Sequence, residues 1–280
     1  MKKRPAFNER LNQLISGKSS FLCVGLDPDM DKIPAHLKYE NNPIDLFLRE
    51  IVSATREHVV AYKANLAFFE CEGKNGLEAL HNLTSIIPRD VILILDGKRA
   101  DIENTSKKYA HAYFDQLGAH AVTVNPYLGY DAVKPFLDYA DRGTFVLSLT
   151  SNRGAEDFQF LQIGTEPLFQ YVAKKVQKWN TNNNCGLVVS GKEIEELKIL
   201  RRILPDMPFL IPGVGAQGGS LKEIMKYGRD RSGTGMLVNI GRSIIYAGTG
   251  KDFAAKVKTR VKSYVDEMAG MMHTAWDYIK

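Results

Sequence analysis

The chain has 280 residues, 44% of them hydrophobic and 25% charged, enough to bury a full core in one domain of the size an α/β barrel needs. No run approaches ~18 consecutive apolar residues and the segment Met1 to Arg10 is polar, which speaks against a membrane span or a secretory signal and for a cytoplasmic protein. The formal charge of +5 favours anionic partners, but its lysines and arginines are scattered, so a small phosphorylated ligand fits better than a nucleic acid.

In chain order, a helix over about 6–16 precedes the first strand and is expected to plug the bottom of a barrel. Short apolar runs then predict strands at Phe21 to Gly25, Val59 to Lys63, Val91 to Leu95, Ala121 to Val124, Phe145 to Leu149, Gly186 to Val189, Pro208 to Ile211 and Met236 to Ile240. Between them the pattern predicts helices, the first opened by Asn42-Pro43 and showing the apolar face Leu46, Phe47, Ile51. The others cover roughly 75–87, 103–117, 130–140, 167–179, 191–203, 219–227 and 252–268. Eight continuous apolar strands alternating with helices predict a closed (β/α)8 TIM barrel, one domain over 1–280, with a C-terminal extension from about 269 that carries Trp276 and Tyr278.

Cys23, Cys71 and Cys185 form no CxxC pair and are odd in number, so they read as reduced thiols in or near the core and not as a disulfide framework or a zinc site. None of the histidines ends a strand, which makes a histidine triad or metal centre a poor reading.

In such a barrel chemistry sits where the strands end. Those ends carry Asp27, Lys63, Asp96 with Lys98, Asn125, Thr150, Ser190, the loop from Gly213 to Gly219, and Gly241-Arg242. Singly, an aspartate there is a helix cap and a lysine a solvated end; together they form a mouth lined with polar groups. The sharpest string is Asp96-Gly97-Lys98-Arg99-Ala100-Asp101, where an extended tail would point Asp96 and Lys98 to one side. Lys63 ends the neighbouring strand, so carboxylates and ammonium groups alternate and hold each other charged, which disfavours a Schiff-base lysine.

The turns Pro212-Gly213-Val214-Gly215-Ala216-Gln217-Gly218-Gly219 and Gly241-Arg242-Ser243 read as a phosphate site, the usual use of the last two loops of such a barrel. The string from Gly213 to Gly218 also fits GxGxxG, but the next strand ends in Asn239-Ile240-Gly241 with no acid for a dinucleotide ribose. Ser151 to Glu166 is long for a connection and is expected to act as a lid.

These motifs together closely resemble the orotidine 5'-monophosphate decarboxylase family, in its longer bacterial branch, from about Phe21 to Ala247. The resemblance implies a lyase of pyrimidine biosynthesis that makes UMP without metal or organic cofactor. It implies that Lys63, Asp96, Lys98 and Asp101 form the charged tetrad, with Asp101 and Thr105 reaching the partner's site in a homodimer. Asp27, within Leu22-Cys23-Val24-Gly25-Leu26-Asp27, would bind ribose hydroxyls, Thr150 the pyrimidine, and Arg242, Gln217, Gly213 and Gly241 the phosphate. Asn125, in the Asn125-Pro126-Tyr127-Leu128-Gly129 turn, joins the substrate-binding candidates, and Ser190-Gly191-Lys192 departs from the family's Gly-Ala turn. By the same resemblance Asp96 presses on the substrate carboxylate while Lys98 stabilises the C6 carbanion and protonates it. The alternatives are a magnesium-dependent hexulose-phosphate synthase or keto-gulonate-phosphate decarboxylase, which share D-x-K-x-x-D but lack the Lys63 partner, and a catalytically dead phosphate-binding barrel.

Overall fold

Each apolar run becomes a strand whose alternate side chains enter the barrel or meet the helix layer, as a parallel sheet covered on its outer face requires. In the computed structural model, which describes residues 5–214 and 218–272, the barrel strands are β1 (Leu22–Gly25), β2 (Ala61–Asn65), β3 (Ile92–Arg99), β4 (Ala121–Val124), β5 (Gly143–Leu149), β6 (Cys185–Val189), β7 (Phe209–Pro212) and β8 (Met236–Ile240). They pair in parallel in the order β1-β8-β7-β6-β5-β4-β3-β2 and close on themselves, the (β/α)8 barrel that the alternation predicts. The register sets Gly25 beside Lys63, Lys63 beside Ile94 and Asn65 beside Asp96, so these residues share the inner face. Tyr62 points the other way, into the helix layer, where its hydroxyl meets Thr55 Oγ1 at 2.6 Å.

Helices α1 (Phe7–Lys18), α2 (Pro43–Thr55), α3 (Ala67–Glu70), α4 (Gly73–Ile86), α5 (Glu103–His111), α6 (Tyr130–Leu137), α7 (Leu168–Trp179), α8 (Ile194–Ile203), α9 (Leu221–Tyr227), α10 (Arg242–Ile245) and α11 (Phe253–Met272) follow in chain order. α2 illustrates the local logic. Asn42 caps it by accepting the Asp45 amide at 3.1 Å, Pro43 opens its first turn, and Ile44, Phe47, Leu48 and Ile51 recur at helical spacing on the buried face.

α1 closes the N-terminal end of the barrel. Phe7 packs edge-on against Phe145 with ring centroids 6.0 Å apart, and a Cβ at Gly143 would lie 2.4 Å from the Phe7 ring, so only glycine leaves the ring its place. Asn8 donates to the Cys185 carbonyl at 3.1 Å and ties the helix to β6.

The structure corrects some expectations and adds detail to others. β3 runs on to Arg99, and its tail is not extended: Lys98 takes φ +43°, and the pairing with β4 slips between Leu95 and Arg99. The helix expected over 103–117 is an α-helix only to His111 and continues as a π turn over Ala112–Gln116. The segment 151–166 folds into a 3-10 turn, Arg153–Asp157, and the first strand of a small hairpin, Gln162–Ile163 with Glu166–Pro167. Cys23 and Cys185 are buried, Cys185 with its thiol pushed up to about 12 by burial, but Cys71 is exposed on the short turn after α3. α11 extends to Met272, and Trp276 and Tyr278 lie outside the described residues. Among the described residues no helix is long and apolar enough to cross a membrane.

Candidate active site

At the C-terminal end of the barrel β2 and β3 bring two ammonium groups onto one carboxylate. Lys63 Nζ donates to Asp96 Oδ2 at 2.8 Å and Lys98 Nζ donates to Asp96 Oδ1 at 2.8 Å. Thr123, from β4, donates its hydroxyl to the same Oδ1 at 2.7 Å. Lys63 also lies 3.8 Å from Asp27 Oδ1, and that oxygen accepts the Asn65 amide at 3.0 Å. Tyr246, stacked on Phe47, fixes the chain just beyond β1: its hydroxyl donates to the Asp27 carbonyl at 3.1 Å and accepts the Asp29 amide at 2.7 Å.

The electrostatics follow from this placement. Burial by itself would strip Lys63 of its proton, but the Asp27 and Asp96 carboxylates outweigh it and hold the ammonium above its ordinary range. Burial would likewise raise the Asp96 carboxyl, yet Lys63 and Lys98 carry it far below the carboxylate range. Both groups are therefore charged at neutral pH. The side chains of Lys63 and Asp96 are 6% and 7% exposed against 39% for Lys98, which leaves Lys98 as the member open to a ligand.

Next to Asp27 lies a cavity of about 70 Å³ lined by Pro212, Gly213, Val214, Asn239, Gly241 and Arg242. The strands come close here: a Cβ on Gly25 would sit 3.1 Å from the Gly241 Cα. Gly213 bends with φ +116° and its carbonyl accepts the Gly219 amide at 2.8 Å, closing the turn into a ring. Arg242 is exposed beside it. Gly215, Ala216 and Gln217 fall outside the described residues, Gln217 among the candidates included.

The remaining candidates stand apart from Asp96. Thr150 is clasped by Gln159, which donates to its Oγ1 at 2.7 Å and accepts its amide at 2.8 Å. Gln159 and Asn125 both line a larger groove of about 880 Å³ between α6, α7 and the loop after β5. The Asn125 Oδ1 accepts the Tyr127 amide at 3.0 Å within its own turn. Asp101 accepts the Ile102 amide at 2.8 Å and pairs with no lysine among the described residues, and Thr105 is exposed on α5. Ser190 is fully buried and accepts the Lys192 amide at 3.2 Å, a turn-forming role.

Thr123, Gln159 and Tyr246 were not among the residues singled out from sequence. Thr123 was hidden because a threonine in a strand reads as a strand former, and only the pairing of β3 with β4 gives its hydroxyl a partner. Among the described residues no three His, Cys, Asp or Glu side chains gather as a metal cage would need.

A family model described as Orotidine 5'-phosphate decarboxylase / HUMPS family matches residues 20–257. A protein of Dehalococcoides mccartyi named orotidine 5'-phosphate decarboxylase is 46% identical over 264 residues, spanning 93% of this chain and 96% of its own. One of the same name from Christiangramia forsetii is 42% identical over 265 residues, 94% and 97% of the two chains. Among solved structures, OMP decarboxylase of Leishmania donovani superposes with a TM-score of 0.83 at 34% identity, over 97% of this chain and 100% of that one.

Proposed function

The chain belongs to the orotidine 5'-phosphate decarboxylase / HUMPS family, and from that premise we propose that it is an enzyme that decarboxylates orotidine 5'-monophosphate to UMP in pyrimidine synthesis, by a C6 carbanion and without a cofactor. The observation that carries this reading is the ionised, buried Asp96 gripped by Lys63 and Lys98 at 2.8 Å each. With the substrate carboxylate against Asp96, two like charges disfavour the bound ground state. The C6–carboxylate bond breaks, carbon dioxide leaves, and the electron pair stays at C6 beside the Lys98 ammonium. Lys98 gives that carbon a proton and regains one from solvent.

Arg242, with the Gly213 and Gly241 turns and Gln217, would take the phosphate, Asp27 the ribose hydroxyls and Thr150 the pyrimidine. Binding energy from the phosphate then aligns C6 with Lys98, remote contacts assisting the reacting ones. The working form is a cytoplasmic homodimer in which Asp101 and Thr105 serve the partner's site, with Asn125 among the substrate contacts. Exposed Ile102, Tyr127 and Phe158, on the loops after β3, β4 and β5, support a covering partner on that side.

The magnesium-dependent sugar-phosphate chemistry of related barrels fits less well. Both oxygens of Asp96 are already engaged by Lys63, Lys98 and Thr123, which leaves the carboxylate poorly placed to ligate a divalent cation. The test is the loss of ultraviolet absorbance as orotidine 5'-monophosphate becomes UMP, in the presence of EDTA. Turnover unaffected by the chelator is expected; no turnover, with magnesium-dependent activity on a sugar phosphate instead, would overturn the reading.

A further inference from the structure

The contact between β3 and β4 contains a mismatch. Leu95 pairs with Val122 and Arg99 with Val124, so Asp96, Gly97 and Lys98 together face the single residue Thr123. A bulge of this kind takes backbone groups out of the ladder, and they need other partners. The Lys98 amide finds one in Thr123 Oγ1, at 3.0 Å. Lys98 is also the residue that absorbs the turn, with φ +43°, a conformation that non-glycine residues adopt at a cost unless their surroundings hold them.

The direction of the hydrogen bonds is fixed by proton count. An amide can only donate, so the Thr123 oxygen accepts from Lys98, and the one hydroxyl proton is free to go to Asp96 Oδ1 at 2.7 Å. Thr123 is 2% exposed, so neither bond is diluted by solvent. One hydroxyl thus sets both the backbone from which Lys98 projects and the rotation of the carboxylate that Lys98 pairs with.

We propose that Thr123 is a positioning residue of the decarboxylation, holding Lys98 and Asp96 in a single mutual geometry through this hydroxyl. The inference rests on the decarboxylase reading and deepens it. Removing the hydroxyl leaves the Lys98 amide without its acceptor and the left-handed turn without support, so the Lys98 ammonium drifts from C6 while the phosphate, ribose and base contacts are untouched. The loss therefore falls on kcat and spares KM, since misplacing a reacting group by a fraction of an ångström is felt in the chemical step.

The experiment compares parent, Thr123→Val, which keeps the shape without the hydroxyl, and Thr123→Ser, which keeps the hydroxyl. Each is assayed for kcat and KM on orotidine 5'-monophosphate, with the folded fraction followed by circular dichroism and thermal unfolding. Expected are a fall in kcat of about 30-fold in Thr123→Val with KM within about threefold of the parent, and recovery to within about threefold in Thr123→Ser. Thr123→Cys, whose thiol is a poor donor and acceptor, is a second variant should valine not fold, and an intermediate kcat is expected of it. Parental kcat in the valine or cysteine variant, a serine variant no better than valine, or a loss that follows the unfolded fraction would each overturn the inference. A parent without turnover would instead remove the decarboxylase reading and the inference with it, so the two failures are distinguishable.

Discussion

At the bottom of the barrel the ring of Phe7 lies edge-on to Phe145 over the space that Gly143 leaves empty, and the only requirement is volume. At the mouth, β2 and β3 carry Lys63, Asp96 and Lys98, and the two buried ones, Lys63 and Asp96, are charged groups that are costly to bury unless each is paired. The contrast separates two ways in which a sequence is constrained. A change at the bottom removes apolar contact and acts on the whole folded state, whereas a change at the mouth alters a local balance of charge and acts on chemistry. Asp96 is where the two meet, because it is buried like the core and charged like the site.

Replacing Asp96 by alanine should therefore break the separation. Turnover is expected to fall by about 10⁴-fold or more, as carboxylate pressure and the placing of the acid vanish together. Stability should fall too, by roughly 3 kcal/mol, because Lys63 stays buried with only the more distant Asp27. The pH dependence supplies the signature. The Asp96 carboxyl is depressed in the folded state, so its contribution is present above the unfolded carboxylate range, near pH ~4, and is lost as pH falls through the folded value. Urea unfolding as a function of pH should show a shallower acid limb in the variant, and superimposable limbs would contradict the paired carboxylate.

Phe7→Ala tests the opposite end. Urea unfolding should show a loss of about 3–5 kcal/mol, the usual consequence of deleting a buried ring, while the kcat of the folded fraction stays within about twofold. Lost turnover in fully folded protein would mean that the two ends are coupled. A smaller effect, confined to binding, is expected of Arg242→Ala. Its guanidinium is exposed beside the Gly213 turn, so KM for the nucleotide should rise roughly 10- to 100-fold, the worth of a hydrogen bond between charged groups. Unfolding should be unchanged within about 0.5 kcal/mol. A KM equal to the parent's would place the phosphate elsewhere.

The barrel was legible because its strands are continuous apolar runs and because a buried parallel sheet has few other ways to cover itself. Lys63, Asp96 and Lys98 were legible because strand ends point to one place, so residues far apart in the chain converge without any knowledge of side-chain geometry. The local path between them was not. The string Asp96-Gly97-Lys98 reads as an extended tail, yet Lys98 turns into the left-handed region. Gly97 serves close approach, since a Cβ there would lie 2.9 Å from Leu66 Cδ1. The slip against β4 that produces this turn is a property of two strands together, and it is also what gives Thr123 its role. Gln159 escaped notice for a different reason: it lies nine residues beyond Thr150 in an irregular segment, where no periodicity says which side chain folds back.

The central claim is that Lys98 acts in the chemical step and contributes little to the fold, because Asp96 keeps Lys63 and Thr123 when Lys98 is gone. The direct test is the kcat of Lys98→Ala on orotidine 5'-monophosphate at saturating substrate with EDTA present, measured on protein whose urea midpoint is recorded in parallel. A loss of about 10³-fold or more at an essentially parental midpoint is the predicted result. Turnover within about tenfold of the parent would contradict the account, because a lysine that can be removed so cheaply is not the group that protonates C6.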